Sequence, residues 1–236
     1  MNFLRTKFTT SPATARVAPF VIFLVLTGCQ GWFGEAGRYW FYLAKTVAGA
    51  WLVWEMRPLV SEMRWTFSWE AVAIGIAVVV VWIGLDPYYP RLSELTSKIG
   101  LTKARSAAEQ IPWNPALEFG KGTVLAWFFL IVRFAGPSLV VPPLEEVFYR
   151  SFLYRYLVRV DFQSLPLRQL HWVSLFVTAL IFASTHEQWL AAIFCGLAYQ
   201  WLVLRKNRLG DAMAAHAITN FLLGIWVVWK GAWNFW

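Results

Sequence analysis

The chain has 236 residues, of which 58% are hydrophobic and 14% are charged. Soluble domains are about 45–50% apolar and about 25% charged, so this composition excludes an ordinary water-soluble globule. The net charge of +8 comes from basic residues in separate segments between apolar runs. That distribution argues against a nucleic-acid-binding face. It indicates instead that the basic residues orient the chain in a membrane.

Apolar segments follow one another along the chain. A helix needs about 20 apolar residues to cross about 30 Å of hydrocarbon. Segments approaching that length predict an all-α, polytopic transmembrane bundle of about eight helices. The predicted spans are 17–33, 37–54, 69–85, 122–141, 145–160, 171–185, 189–204 and 212–229. Tryptophans near several span ends suit the headgroup depth of a bilayer, so lipid is an expected partner.

The N-terminus carries Arg5, Lys7 and Arg16 ahead of an apolar run, like a secretory signal. We expect this run to be retained as the first span, because seven further apolar segments already anchor the chain. The basic loops favour an outside N-terminus and the basic tail favours the opposite, so both orientations stay open. Cys29 and Cys195 lie in apolar runs without metal-binding or redox spacing, which favours packing roles.

The longest polar stretch is 86–121. Within it, Leu92, Leu95, Ile99 and Leu101 recur at near-helical spacing among basic residues. An interfacial amphipathic helix and a solvated loop both fit this pattern.

Ionisable residues inside apolar spans are costly, and they mark candidate functional sites. Pro142 and Pro143 favour a helix start just before Glu145 and Glu146. On that helix Glu146 and Arg150 are four residues apart, which predicts an ion pair. Glu145 is rotated from this face by about 100° and is left free, so it is a candidate general base. The alternative is that both carboxylates share the arginine for packing alone.

Two further groups contain histidine. His186 follows an apolar run and begins an HExxH-like motif, but its fifth position is Leu190, so this helix cannot supply a two-histidine zinc clamp. His216 and Asn220 share one face of an apolar helix, where two neutral donors would suit an oxyanion. A polar pair that joins helices in lipid is the alternative.

The three motifs together resemble the CAAX prenyl endopeptidase and bacteriocin-processing family, also called the ABI family. Its pattern is EExxxR, FxxxH and HxxxN or a similar last residue. The matching residues are Glu145, Glu146, Arg150, Phe182, His186, His216 and Asn220. The resemblance covers roughly residues 122–229. It implies a glutamate-dependent intramembrane protease that hydrolyses a peptide bond without a bound nucleotide or a thiol nucleophile. We expect no cofactor, and metal binding stays open.

The resemblance also implies residue roles. Glu145 and His186 would activate a water, His216 and Asn220 would stabilise the oxyanion, and Glu146 with Arg150 would support them. We therefore expect one continuous membrane domain. Residues 1–121 would supply membrane spans with an amphipathic loop at 86–121, and residues 122–236 would form the catalytic core.

The expected partner is a protein or peptide substrate at a bacterial cytoplasmic membrane. A prenylated C-terminus, a bacteriocin leader and a sorting-signal protein all remain open as substrates. Two other functions are compatible with the same residues. One is a metalloprotease with Glu145, His186 and His216 as zinc ligands. The other is a non-catalytic scaffold or immunity-type protein that keeps the polar cluster for helix association.

Overall fold

The computed structural model describes residues 11–101 and 113–236. Regular structure in these residues is entirely helical, which confirms the predicted all-α membrane bundle. The helices are α1 (Pro12–Gly28), α2 (Gly34–Met56), α3 (Trp69–Leu85), α4 (Leu92–Lys98), α5 (Pro115–Phe119), α6 (Val124–Tyr156), α7 (Trp172–Ala183), α8 (Trp189–Lys206) and α9 (Gly210–Lys230). Arg5 and Lys7 lie outside the described residues.

Three helical stretches in the described part are long and apolar enough to cross a membrane. They are Trp69–Lys98, which includes α3 and α4, then Val124–Tyr156 and Gly210–Lys230. The helices α1 and α7 are apolar but shorter. The predicted span 69–85 has the same limits as α3.

Two predicted spans, 122–141 and 145–160, form one helix rather than two. This helix, α6, runs through two π-helical segments, Gly136–Val140 and Val147–Leu153. The predicted helix start at Pro142–Pro143 is therefore wrong, and the expected number of separate spans falls by one. It follows that the glutamates lie in the middle of a long helix and not in a first turn.

The reason for this continuity is a change in hydrogen-bond register. At the end of the first π-helical segment, the backbone N–H of Val141 donates to the carbonyl of Gly136, five residues earlier. The next donor in that register would be residue 142, but Pro142 has no N–H. Asn220 of α9 replaces it, because its Nδ2 lies 2.7 Å from the carbonyl oxygen of Pro137.

Side-chain caps fix several helix starts. Ser11, Ser68 and Thr123 each accept a hydrogen bond from the backbone N–H three residues later, at the beginnings of α1, α3 and α6. Such caps satisfy backbone donors that have no partner inside the helix. The limits of these helices therefore have a local cause in the sequence.

Helix α9 lies at the centre of the bundle. It packs along α3 and also contacts α6 and α8. The contact with α3 is close because Gly75 has no side chain, since a Cβ there would lie 2.9 Å from the carbonyl oxygen of Ala215. The hydroxyl of Thr219 donates to the Gly75 carbonyl at 3.0 Å. This close approach fixes α9, which carries the third motif.

The polar stretch 86–121 is partly helical. Leu92 and Leu95 lie in α4, whereas Ile99 and Leu101 follow it and are exposed. The hydroxyl of Ser93 donates to the Glu187 carboxylate at 2.7 Å, which attaches this segment to the loop after α7. Residues 102–112 lie outside the described part, so the full amphipathic segment remains a prediction.

A buried ion cluster joins α1 to α6. Glu62, between α2 and α3, lies 2.8 Å from Nη2 of Arg16 and 2.9 Å from Nη2 of Arg155. The hydroxyl of Ser151 also donates to its carboxylate. Burial raises the pKa of Glu62, but the charge of Arg16 and the Ser151 hydrogen bond outweigh it and lower the pKa to about 2. Arg16, expected in a basic flank, is thus a buried structural residue.

Glu62→Gln should destabilise the protein by about 3 kcal/mol, because it leaves two arginines buried without their anion. The folded pKa of about 2 lies below the ordinary value of 4.5, so the stabilisation is present above pH 4.5 and is lost as the pH falls toward 2. Thermal unfolding in detergent across this range measures the effect, with the exposed Glu94→Gln as control. Equal stability of the two variants at neutral pH would contradict the assignment.

Candidate active site

Glu146 of α6 is fully buried and is paired twice. Its carboxylate lies 3.1 Å from Nε of Arg150 and 2.9 Å from Nδ1 of His216 on α9. The ion pair predicted from the four-residue spacing is therefore present, and His216 is an additional partner. Arg150 also packs its guanidinium over the ring of Phe182, with 4.7 Å between Cζ and the ring centroid.

Glu145 is adjacent in sequence but has a different environment. Its side chain is half-buried and faces a cavity, and its Oε2 is buried without a hydrogen-bond partner in the described part of the chain. Glu146 takes both Arg150 and His216, and no cation of the described residues forms an ion pair with Glu145. A buried carboxylate oxygen without a donor is costly, so this atom is a candidate to bind water or substrate.

His186 lies just after α7 with its ring fixed on both sides. Its Nδ1 is 2.8 Å from the carbonyl oxygen of Phe182, which can only accept a hydrogen bond. Nδ1 must therefore carry the proton, and Nε2 keeps its lone pair. The ring packs against Phe182 at 4.4 Å and Trp82 at 5.8 Å between centroids. His186 can thus accept a proton or a hydrogen bond at Nε2.

His216 is held in a similar way, since its Nδ1 also faces an oxygen acceptor, here the Glu146 carboxylate. A neutral ring that donates from Nδ1 to Glu146 has only a lone pair at Nε2. It can donate from Nε2 only as an imidazolium. Tyr199 stacks on the ring at 5.2 Å between centroids and donates its own hydroxyl to Thr219. The sequence predicted a neutral hydrogen-bond donor at this position, whereas His216 can donate from Nε2 only in its charged form.

Asn220 has one amide hydrogen committed to the Pro137 carbonyl. An amide NH₂ has two hydrogens, so one donor is left for a ligand. The side chain is half-buried and lines the same cavity as Glu145. This position is compatible with both predicted roles, helix association and donation to an oxyanion.

A cavity of about 200 Å³ brings the four predicted catalytic residues together. Glu145, His186, His216 and Asn220 all line it, whereas Glu146 and Arg150 do not. Within residues 11–101 and 113–236, no three His, Cys, Asp or Glu side chains are grouped closely enough to hold a metal ion. Sharing the cavity therefore does not give the two histidines and Glu145 the geometry of a zinc site.

This candidate catalytic cavity lies beside a larger chamber of about 810 Å³. The two share six lining residues, Arg133, Pro137, Val141, Glu145, His186 and Trp236. Lys45 and Arg38 also line the chamber. None of these cations was predicted as a site residue, although Arg38, Lys45 and Arg133 all fall inside predicted spans. The criterion applied to Glu145 would have found all three of them.

The fold and the cavity define a helical membrane protein with groups suited to acid–base chemistry. The family model described as Type II CAAX prenyl endopeptidase Rce1-like matches residues 123–222, which contain all three motifs. This match confirms the resemblance to CAAX prenyl endopeptidases over the segment that carries the motifs. No curated protein and no solved structure matches the chain.

Asn220→Ala should lower the free energy of unfolding by about 1–2 kcal/mol, because the Pro137 carbonyl loses its donor. Pro142→Ala would supply a backbone N–H in the register that now lacks one. The double variant should therefore lose less stability than the sum of the single variants, which thermal unfolding of all four proteins measures. Strictly additive losses would show that the amide does not replace the missing backbone donor.

Proposed function

We propose that this protein is an intramembrane endopeptidase that hydrolyses a peptide bond with a water activated by Glu145 and His186. The observation that carries the proposal is that an unpaired carboxylate oxygen, a histidine of fixed tautomer and two potential donors line one cavity. The Rce1-like match supports the same class of reaction. The substrate is a protein or peptide, and the proposed location is a bacterial cytoplasmic membrane.

In the first step the water lies between the Glu145 carboxylate and Nε2 of His186. Both groups are acceptors, so each takes one hydrogen of the water and leaves an oxygen lone pair for the peptide carbonyl. As the oxygen attacks the carbonyl carbon, Glu145 takes the proton and a tetrahedral oxyanion forms. The C–N bond then breaks, and Glu145 returns the proton to the leaving nitrogen. The products are a new carboxyl end and a new amine.

The oxyanion would accept hydrogen bonds from His216 and Asn220. His216 donates from Nε2 as an imidazolium held by Glu146, and Asn220 donates with its second amide hydrogen. Arg150 balances the charge of Glu146, so the positive charge on His216 remains available for the developing oxyanion. Donors of this kind act strongly in a water-poor cavity because they are already oriented before the charge develops.

Glu145→Gln should reduce cleavage by at least about 10²-fold while the protein remains folded, because the amide keeps the shape but cannot take a proton. Cleavage of a prenylated peptide and of a mixed peptide pool, followed by mass spectrometry, measures this loss. Glu94→Gln is the matched control, since it removes an exposed carboxylate outside the cavity. If Glu145→Gln cleaves at the wild-type rate, the scaffold function becomes the better explanation.

Asn220→Ala should lower kcat by about 10²- to 10³-fold with little change in KM, because an oxyanion exists only in the transition state. Turnover is counted per folded molecule, so that the loss of stability predicted for Asn220→Ala does not lower the measured kcat. His216→Ala, measured alongside, should show the same pattern. An unchanged kcat in Asn220→Ala would mean that this amide only donates to the Pro137 carbonyl of α6 and has no part in the reaction.

A further inference from the structure

The chamber beside the catalytic cavity has an excess of positive charge. Its lining includes Lys45 and Arg133, whereas Glu145 is its one acidic residue among those described. Glu145 makes no ion pair with Lys45 or Arg133 in the described part of the chain. A cluster of cations at membrane depth is costly, and it indicates a site for an anion.

Lys45 of α2 shows this excess most directly. Its side chain is buried, with 6% of the residue exposed. Nζ lies 3.1 Å from the Oε1 atom of Gln30, and 4.7 and 5.4 Å from the ring centroids of Tyr42 and Phe23. These partners are all uncharged. Among the side chains that the structure describes, no carboxylate forms an ion pair with Lys45.

Arg133 of α6 is held in an aromatic cage. Its Cζ lies 4.6 Å from the ring centroid of Tyr42, 5.1 Å from that of Trp113 and 5.5 Å from that of Trp236. Rings stabilise a guanidinium by cation–π contact without using its hydrogen-bond donors. Its Nε is buried and has no acceptor in the described part of the chain. The cage therefore presents a positioned guanidinium that lacks a carboxylate partner.

We infer that Lys45 and Arg133 form a subsite for a carboxylate of the bound peptide, next to the cavity that would hold the scissile bond. This inference rests on the proposed endopeptidase function. A guanidinium binds a carboxylate through paired N–H groups, and a lysine adds a point charge. A peptide is favoured over a lipid headgroup because the chamber and the catalytic cavity share lining residues, so one ligand can occupy both.

The spacing limits where that carboxylate can be on the peptide. Arg133 and Glu145 are on the same helix, separated by an axial rise of about 18 Å. An extended peptide covers about 3.4 Å per residue. The carboxylate should therefore lie within about five residues of the scissile bond. Either a free C-terminus or an acidic side chain could supply it.

The test uses three prenylated peptides that differ only in charge. One ends in a free carboxylate, one in an amide, and one in an amide with an added aspartate near the end. Wild-type protein should cleave a carboxylate-bearing peptide at least about 10-fold better in kcat/KM than the neutral amide. Whichever carboxylate is preferred identifies the source of the anion.

Arg133→Gln and Lys45→Gln should each lower the ratio of kcat/KM for the carboxylate peptide to that for the neutral amide toward one. Arg133→Lys keeps the charge and should retain part of the preference, which guards against a folding defect in Arg133→Gln. Arg159→Gln removes an exposed cation away from the chamber and should keep the full preference. Full preference in both chamber variants, or none in the wild type, would overturn the inference.

Binding separates this inference from the proposed function. The full-length Glu145→Gln protein should capture a fluorescent peptide acid more tightly than its amide, although it does not cleave either. If wild-type protein cleaves no peptide but this preference in binding remains and requires Lys45, the protease function fails and the carboxylate subsite stands. If phosphatidylglycerol, and neither peptide, binds in a Lys45-dependent manner, the chamber is a lipid site and the subsite is withdrawn.

Discussion

Neutralisation of the buried Glu146 carboxylate organises the rest of the site. Arg150 on the same helix and His216 on α9 both bind it, so one anion fixes the relative position of two central helices. Separating the partners of such a buried pair would leave an uncompensated charge. Because that is costly, the pair holds the two helices in one arrangement. The neighbouring Glu145 receives neither cation and faces the cavity instead. Two adjacent residues of the same type thus acquire different chemistry, because they face different directions on α6 and only Glu146 meets His216 of α9.

Much of this could be predicted because it depends on local spacing. The limits of α3 follow hydropathy and the Ser68 cap, and the Glu146–Arg150 pair follows from one helical turn. The second partner of Glu146 could not be predicted in this way, because His216 is 70 residues away. Continuity of α6 also depends on a distant group. Its prolines resemble a helix start until Asn220, 83 residues from Pro137, supplies the donor that they lack.

The missed cations have a related explanation. A hydropathy window averages one lysine or arginine into many apolar neighbours, so Lys45 and Arg133 lie unnoticed within predicted spans. Only the folded chain shows that they line one chamber beside Glu145. Aromatic residues make this placement tolerable, since Tyr42 contacts both cations. The many aromatic residues therefore stabilise buried cations as well as suiting the membrane interface.

The Glu62 cluster constrains how the protein is made. Arg16 belongs to α1, whereas the Ser151 hydroxyl that accepts a hydrogen bond from its Nε comes 135 residues later. At synthesis rates of about 5–20 residues per second, the ribosome needs roughly 7–27 s to produce that partner. During this interval Arg16 can already pair with Glu62, which is 46 residues away. Helix α1 thus gains its ion-pair partner early and its contacts with α6 late, so a chain that stalls before α6 keeps the Arg16–Glu62 pair without the Ser151 hydroxyl and without Arg155.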